Sequence, residues 1–322
     1  MRFIPFIVFL VTGVFLYENY LVESIDENYY SEVETINSTQ SENILNYENI
    51  KIGYTKQQLI NLLGNPDRID ESEYDFKWYV YNNDLDNFFM VAIQDDEVVG
   101  MYSNSLNSIE LNEIQLNKTK DEIRKTYKPL EYKIKNNTKY LIDSNEEYDI
   151  IEVDNKYITL FYDVHNDNKI CSYQIIKEKT EKNLKDIYPK ESDYDLAKSF
   201  ELQMIDLINS IRSKNGLNQL YLSENATLSS RNHSEDMMVN NFFDHTNEKG
   251  ENPSDRMKYQ NINYKTAGEN IAAGQTSAIF AHEALMNSLS HRKNILGNYN
   301  YIGTGVVFGG YYNTYYTQNF YS

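Results

Sequence analysis

The chain has 322 residues, 41% of them hydrophobic, and a net charge of −18. That length corresponds to about two domains, and that apolar fraction excludes wholesale disorder. The charge excludes a nucleic-acid surface, because an acidic face repels phosphate. The acidity is uneven: from Asp195 onward 12 Asp/Glu meet 10 Lys/Arg, whereas residues 1–194 hold 36 acids and 20 bases. The single cysteine, Cys171, makes no internal disulfide and no cysteine-based zinc site. Its place in a strand-like run reads as buried filler.

The first residues, MRFIPFIVFLVTGVFLYENY, place one Arg before an uncharged run from Phe3 to Tyr17. This is the pattern of an export signal. The run has 15 residues, short of the roughly 20 a spanning helix prefers. Residues 1–22 are expected to be a cleaved signal peptide or an uncleaved anchor with Tyr17 and Tyr20 at the membrane interface. The lack of a small-x-small cleavage site favours the anchor. Both readings put the remainder outside the cytoplasmic membrane, secreted or at the cell surface. Residues 23–48 are polar and acidic, the composition of a tether.

Residues 49–180 contain an internal repeat. ENIKIGYTKQQLINLLGNP (48–66) is echoed by NEIQLNKTKDEIRKTYKPL (112–130), with the Thr-Lys pairs 64 residues apart. In each copy an extended stretch leads to a Thr N-cap and a short helix, stopped by Gly64-Asn65-Pro66 or Lys128-Pro129. Strand-like runs with Asp/Asn-rich turns follow both. The pattern predicts an α+β domain of two helix-plus-sheet units, with Trp78 packing in the sheet and His165 solvated in a turn. Residues 181–195, charged and containing Pro189, read as a linker.

The second domain, 196–322, opens with a helix whose apolar stripe is Phe200, Met204, Ile208 and Ile211, ended by Gly216. Ser223 caps a second helix carrying Ala226, Ser230, His233 and Met237 on one face. Asn252 and Pro253 start a short helix. TAGENIAAG (266–274) reads as a small, flexible stretch outside the core. A helix over 277–289 follows, then SHRKNIL with Ser290 as cap, and two strands meet at Gly309-Gly310. Four of the five histidines, His233, His245, His282 and His291, lie here. Each has a structural reading: His233 as a hydrogen-bonded core residue, His282 as exposed, His245 in a loop, His291 at a helix start. Their spacing matches no local metal motif.

Residues 200–322 resemble the CAP superfamily (cysteine-rich secretory, antigen 5 and pathogenesis-related proteins) in its bacterial SCP-like branch. The resemblance rests on LINSIRSKNGLNQL, RNHSEDM, FFDHT, PSDRM, AGENIAAG, ALMNSLSHRKNIL, YIGTGVVFG and YTQNF, in that order. Residues 50–180 resemble the CAP-associated N-terminal domain that precedes such modules in Gram-positive bacteria, through IKIGYTKQQLINLLGNPDRI, WYVY and FYDVHND.

The resemblance implies an α-β-α sandwich for the second domain. It also implies a shared cleft in which Glu269 meets His245, joined by His291 of SHR and His233 of HSEDM. A second glutamate and a strand histidine of many relatives are missing: Ser288 stands at the helix position, and YIGTGVV has no His. Three imidazoles and one carboxylate form a candidate set for a divalent metal such as zinc, which would activate water for hydrolysis of peptide or wall polymer. The other reading is a non-catalytic surface module that binds a small ligand, a wall component or a protein partner. The loss of the second glutamate and the strand histidine favours that one.

Overall fold

In the computed structural model the described residues are 3–4, 50–105, 114–135, 138–191 and 193–322. The expected leader, apart from Phe3–Ile4, and the expected tether lie outside them. Among the described residues no helix is long and apolar enough to cross a membrane. β1 (Phe3–Ile4) pairs parallel with β7.

The N-terminal half is one antiparallel sheet of seven strands in the order β2-β3-β4-β5-β10-β9-β8. Its strands are β2 (Arg68–Asp70), β3 (Lys77–Tyr81), β4 (Phe89–Gln94) and β5 (Glu97–Ser103) from the first unit. The second unit gives β8 (Tyr148–Val153), β9 (Lys156–Asp163) and β10 (Lys169–Lys177), besides a separate hairpin of β6 (Tyr132–Lys135) and β7 (Thr138–Leu141). The repeat is real at the level of hydrogen bonds. α1 (Lys56–Leu63) and α2 (Lys120–Thr126) each start at a complete capping box, Thr55 with Gln58 and Thr119 with Glu122. Val98 N–H donates to the Tyr54 carbonyl and Lys56 N–H to Asp96; in the second copy Ile170 donates to Lys118 and Lys120 to Asn168. The units join where β5 pairs with β10. Asp95-Asp96 and Asp154-Asn155 all have positive φ, as two-residue hairpin turns demand.

The sheet has two buried faces. One packs on α1 and α2 through Leu59, Leu63 and Ile123. The other, carrying Phe76, Trp78, Val80, Met90 and Tyr102, packs with Leu207 and Ile279 of the second domain. Trp78 is thus sheet packing, as expected, and it lies in a core shared by both halves. Polar contacts fasten the seam. Arg68 pairs with Asp70 and Asp206, both at 2.6 Å, and Arg292 holds Asp163 through two bonds at 3.1 and 3.0 Å. His165, expected to be merely solvated, bonds the Asn287 carbonyl at 3.0 Å. The segment expected to be linker begins in α3 (Glu178–Asn183), whose Glu181 is buried.

The second half is a four-stranded sheet, β11-β13-β14-β12, between helices on both sides, with β11 (Tyr221–Leu222) a short edge strand. α4 (Tyr194–Lys214) contributes Phe200, Met204 and Ile208 to a core with Ile302, Val306 and Phe308 of β13 (Tyr301–Phe308). α5 (Glu224–Asn240) covers the opposite face of β13. Strand periodicity explains the division: 302, 304, 306 and 308 point one way, 303 and 305 the other. Both of the latter are glycine. A Cβ on Gly303 would stand 2.1 Å from Ala226 C and Thr227 N, and one on Gly305 2.1 Å from Arg231 N. α5 therefore lies on bare backbone, which Ser230 and Ser234 bond at the Gly303 and Gly305 carbonyls, each at 3.0 Å. The open edge of β13 is closed by Glu201, which accepts from Val306 N–H at 3.1 Å and from Arg231 at 2.7 Å.

Candidate functional site

TAGENIAAG is a buried strand, β12 (Ala267–Ala273), paired along its length with β14 (Thr314–Tyr321). This corrects the expectation of a flexible stretch. Small residues here serve close packing at the sheet edge: a Cβ on Gly268 would meet the Tyr299 hydroxyl at 2.7 Å. In a strand, adjacent side chains take opposite faces, so Glu269 and Asn270 have separate partners.

Asn270, fully buried, spends its amide on three neighbours. It donates to Gln318 at 3.0 Å and to the His291 carbonyl at 3.2 Å, and accepts from Asn294 at 2.9 Å. Asn294 also donates to the Glu269 carbonyl at 3.2 Å. Thus α8 (Leu289–Ile295) seals the free edge of β12. Its N-cap is Ser288, not Ser290 as expected, and Ser288 adds no capping hydrogen bond. α7 (Ala278–Asn287) ends at that same residue.

Glu269 lies on the other face, with its side chain 2% exposed. His245 Nδ1 stands 2.9 Å from Oε1, and Arg256 Nη2 donates to Oε1 at 2.9 Å and Oε2 at 2.8 Å. Arg256 belongs to α6 (Pro253–Tyr259), held by the Asn252–Asp255 capping box. Through Nη1 it also donates to the His245 carbonyl at 2.8 Å and the Glu251 carbonyl at 2.9 Å. One guanidinium therefore ties α6, the 241–252 loop and β12 together. His233, fully buried on α5, places Nε2 at 3.0 Å from the Asp244 carbonyl and 3.8 Å from Glu269 Oε1.

Three of the four expected residues, His233, His245 and Glu269, thus converge. His291 is buried beside them, close enough for its imidazole to feel His245. Neither of its ring nitrogens has a hydrogen-bond partner among the described residues, so it does not bond Glu269. His282, expected to be exposed, is 3% exposed, because α7 packs into the domain seam. Burial pushes His233 and His291 down to about 4 and His282 to about 3. Burial alone would raise Glu269, but His233, His245 and Arg256 outweigh it and hold the carboxyl below its ordinary range. With His233 neutral at pH 7, the charge acting there is the guanidinium's.

The zinc set does not fit this arrangement. A cation at Glu269 would have to displace or face the permanent charge of Arg256. The His245 Nδ1 and His233 Nε2 atoms are already engaged with Glu269 and Asp244. Among the described residues no group of three or more His, Cys, Asp or Glu could hold a metal ion. Arg256 is the residue that sequence reasoning missed. Its only signal was an arginine one turn into the PSDRM helix, beside a capping asparagine.

Next to the cluster is an open groove of about 550 Å³ between α5, the 247–251 loop and α6. Its lining includes Asn232, Asp236, Asn247 and Glu251, with Arg256 in the wall.

Comparison with known proteins agrees with this architecture. The CAP-associated N-terminal family matches residues 52–187, and the cysteine-rich secretory protein family (CAP) matches residues 205–320. A Bacillus subtilis (strain 168) protein named Uncharacterized membrane protein YlbC is 30% identical over 293 residues, covering 84% of this chain and 82% of its own. Uncharacterized protein YkwD of the same strain is 44% identical over 113 residues, 35% of this chain and 44% of its own. Among solved structures, an extracellular protein containing a SCP domain from Bacillus anthracis str. Ames has TM-score 0.71 and 26% identity, covering 91% of this chain and 99% of its own. A cysteine-rich secretory protein (SAV1118) from Staphylococcus aureus subsp. aureus Mu50 shares the fold with TM-score 0.66 at 17% identity, over 84% and 91% of the two chains. The chain therefore belongs to the CAP family of cysteine-rich secretory proteins, in the form whose CAP module follows a CAP-associated N-terminal domain.

Proposed function

We propose that this protein is an extracytoplasmic, non-catalytic binding module that works at the cell surface. The observation that carries this reading is the double use of Glu269. Its two oxygens are taken by Arg256 and His245 inside a nearly closed knot, which leaves the Glu269 carboxylate itself neither exposed as a base nor free as a metal ligand. A general base must reach the proton it removes, and a salt-bridged carboxylate with a lowered pKa is a poor one. The knot instead braces a polar groove open to solvent, whose amides and carboxylates suit a hydrogen-bonding ligand such as a wall component. The extracellular relative and the relative named as a membrane protein agree with the location.

The test uses the full chain with isolated Bacillus cell-wall sacculi. Sedimentation measures binding, and release of soluble amines and reducing ends measures hydrolysis. The expected result is co-sedimentation without release, weakened by Asn247→Asp in the groove. Steady release that disappears in His245→Ala would overturn the reading in favour of a hydrolase.

A further inference from the structure

A second cavity, remote from the Glu269 knot, lies in the seam between the seven-stranded sheet and the CAP module. Its volume is about 100 Å³, room for a ring or a short alkyl chain rather than a polymer. One wall is aromatic. Tyr148 and Phe161 from the sheet meet Phe280 of α7, with ring centroids 5.9, 5.2 and 5.1 Å apart. Tyr74 stacks on Phe76 at 4.9 Å and adds a fourth lining ring.

The polar lining is unbalanced. Five acids, Glu73, Asp143, Glu147, Glu181 and Glu283, face two lysines, Lys133 and Lys135. Both lysines are taken by Glu181, at 2.9 and 3.1 Å, which also accepts from the Tyr74 hydroxyl at 2.6 Å. Glu283 accepts from Tyr102 at 3.1 Å and from Ser172 at 2.5 Å. Glu73 is different: its buried Oε2 has no hydrogen-bond partner among the described residues. Gln275, 7% exposed and lining the same cavity from the CAP side, has an unpartnered Oε1. Both line this one cavity, and Tyr316 ties their segments together: its hydroxyl donates to the backbone carbonyl of Gln275 at 3.0 Å and feels the Glu73 charge. A buried acceptor without a donor is costly, and a buried carboxylate without a cation more so. Consistently, burial raises Glu73 to about 7.

From this geometry we propose that the seam cavity binds a small primary organic ammonium. Its N–H groups donate to Glu73 Oε2 and Gln275 Oε1, and its apolar body lies on the Tyr148–Phe161–Phe280 rings. Aromatic faces attract a cation as well as an alkyl chain, and the surplus of acids favours positive over neutral or negative ligands. The site is separate from the groove on α5 and α6, so its failure would leave the wall-binding reading untouched.

The experiment titrates the full chain by calorimetry with three probes of equal length: n-butylammonium, n-butanol and butyrate. The expected order is ammonium about tenfold tighter than alcohol, a difference of about 1.4 kcal/mol, with no uptake of butyrate. Glu73→Gln should bring the ammonium down to the level of the alcohol. Ala284→Phe, which fills the cavity from α7, should abolish binding of both. Thermal unfolding confirms that each variant folds; should either fail, the wild-type probe series still decides. Equal affinity for ammonium and alcohol, a preference kept in Glu73→Gln, or no saturable binding at millimolar concentration would overturn the proposal.

Discussion

Arg256 and Glu269 meet through a single nitrogen: Nη2 donates to both carboxylate oxygens, at 2.9 and 2.8 Å, with both side chains buried. Removing the cation from such a pair leaves an uncompensated charge in the interior. Arg256→Met is expected to cost about 3–5 kcal/mol, read as a shift in urea midpoint. The double variant Arg256→Met with Glu269→Gln should lose less than the sum of the two single changes. Additive losses would mean that the pair does not act as a unit.

His291 supplies a pH test. Burial holds its folded pKa at about 4, below the ordinary 6.5 of an imidazole, so the unfolded chain binds the extra proton first. Its effect is absent above pH 6.5, and stability is lost as pH falls through the window down to 4. Each unit within it is worth about 1.4 kcal/mol. His291→Leu removes this penalty. Its stability relative to the parent should therefore rise as the pH is lowered from 6.5 toward 4, by denaturant titration at each pH. A constant difference would show that His291 is not held neutral by burial.

Gly303 tests the mounting of α5. A methyl group there has nowhere to go except into the helix backbone at 2.1 Å. Gly303→Ala should cost about 3 kcal/mol as overpacking, with a fall in melting temperature. Gly216, with nothing near its missing Cβ, is the control for space: Gly216→Ala should cost only the strain of its positive φ, about 1 kcal/mol.

Trp78 is the single tryptophan, and it sits in the core shared with Leu207 and Ile279. Its fluorescence should therefore report unfolding of both halves at one midpoint, coincident with far-UV circular dichroism. Leu207→Ala, in the CAP module, should lower that midpoint by about 2–5 kcal/mol. Two separated transitions would mean that the halves are independent. Chelation with EDTA is expected to leave the midpoint unchanged, because among the described residues no group of three or more His, Cys, Asp or Glu could hold a metal ion; a fall in the midpoint would reopen the zinc reading.

Much of the fold was legible because it follows local rules. Thr55 and Thr119 cap as their sequences demand, the Asp/Asn turns close hairpins, and Asn252-Pro253 opens α6. The resemblance to the CAP family put Glu269, His245, His233 and His291 in one cleft; in the fold the first three converge, and His291 lies beside them without bonding Glu269. What stayed hidden depends on partners far away in the chain. GENIAA looked loose because small residues carry no apolar pattern, yet pairing with β14 on one side and packing under α8 make it a buried strand. His282 looked exposed because the surfaces that cover it come from distant parts of the chain: α7 packs on α4 and α8 and also meets β9 of the first domain. Arg256 carried only the faint signal of its place one turn into the PSDRM helix; the folded approach of α6 to β12 gives it its role.

The shared core behind Trp78 also decides how the molecule answers to mechanical load. A pull entering at residue 50 runs along the sheet and passes sideways into α4 and α7 through Leu207 and Ile279, with Arg68–Asp206 and Arg292–Asp163 as cross-ties. The CAP groove is thus tied to the sheet that carries it through a shared core and two ion pairs.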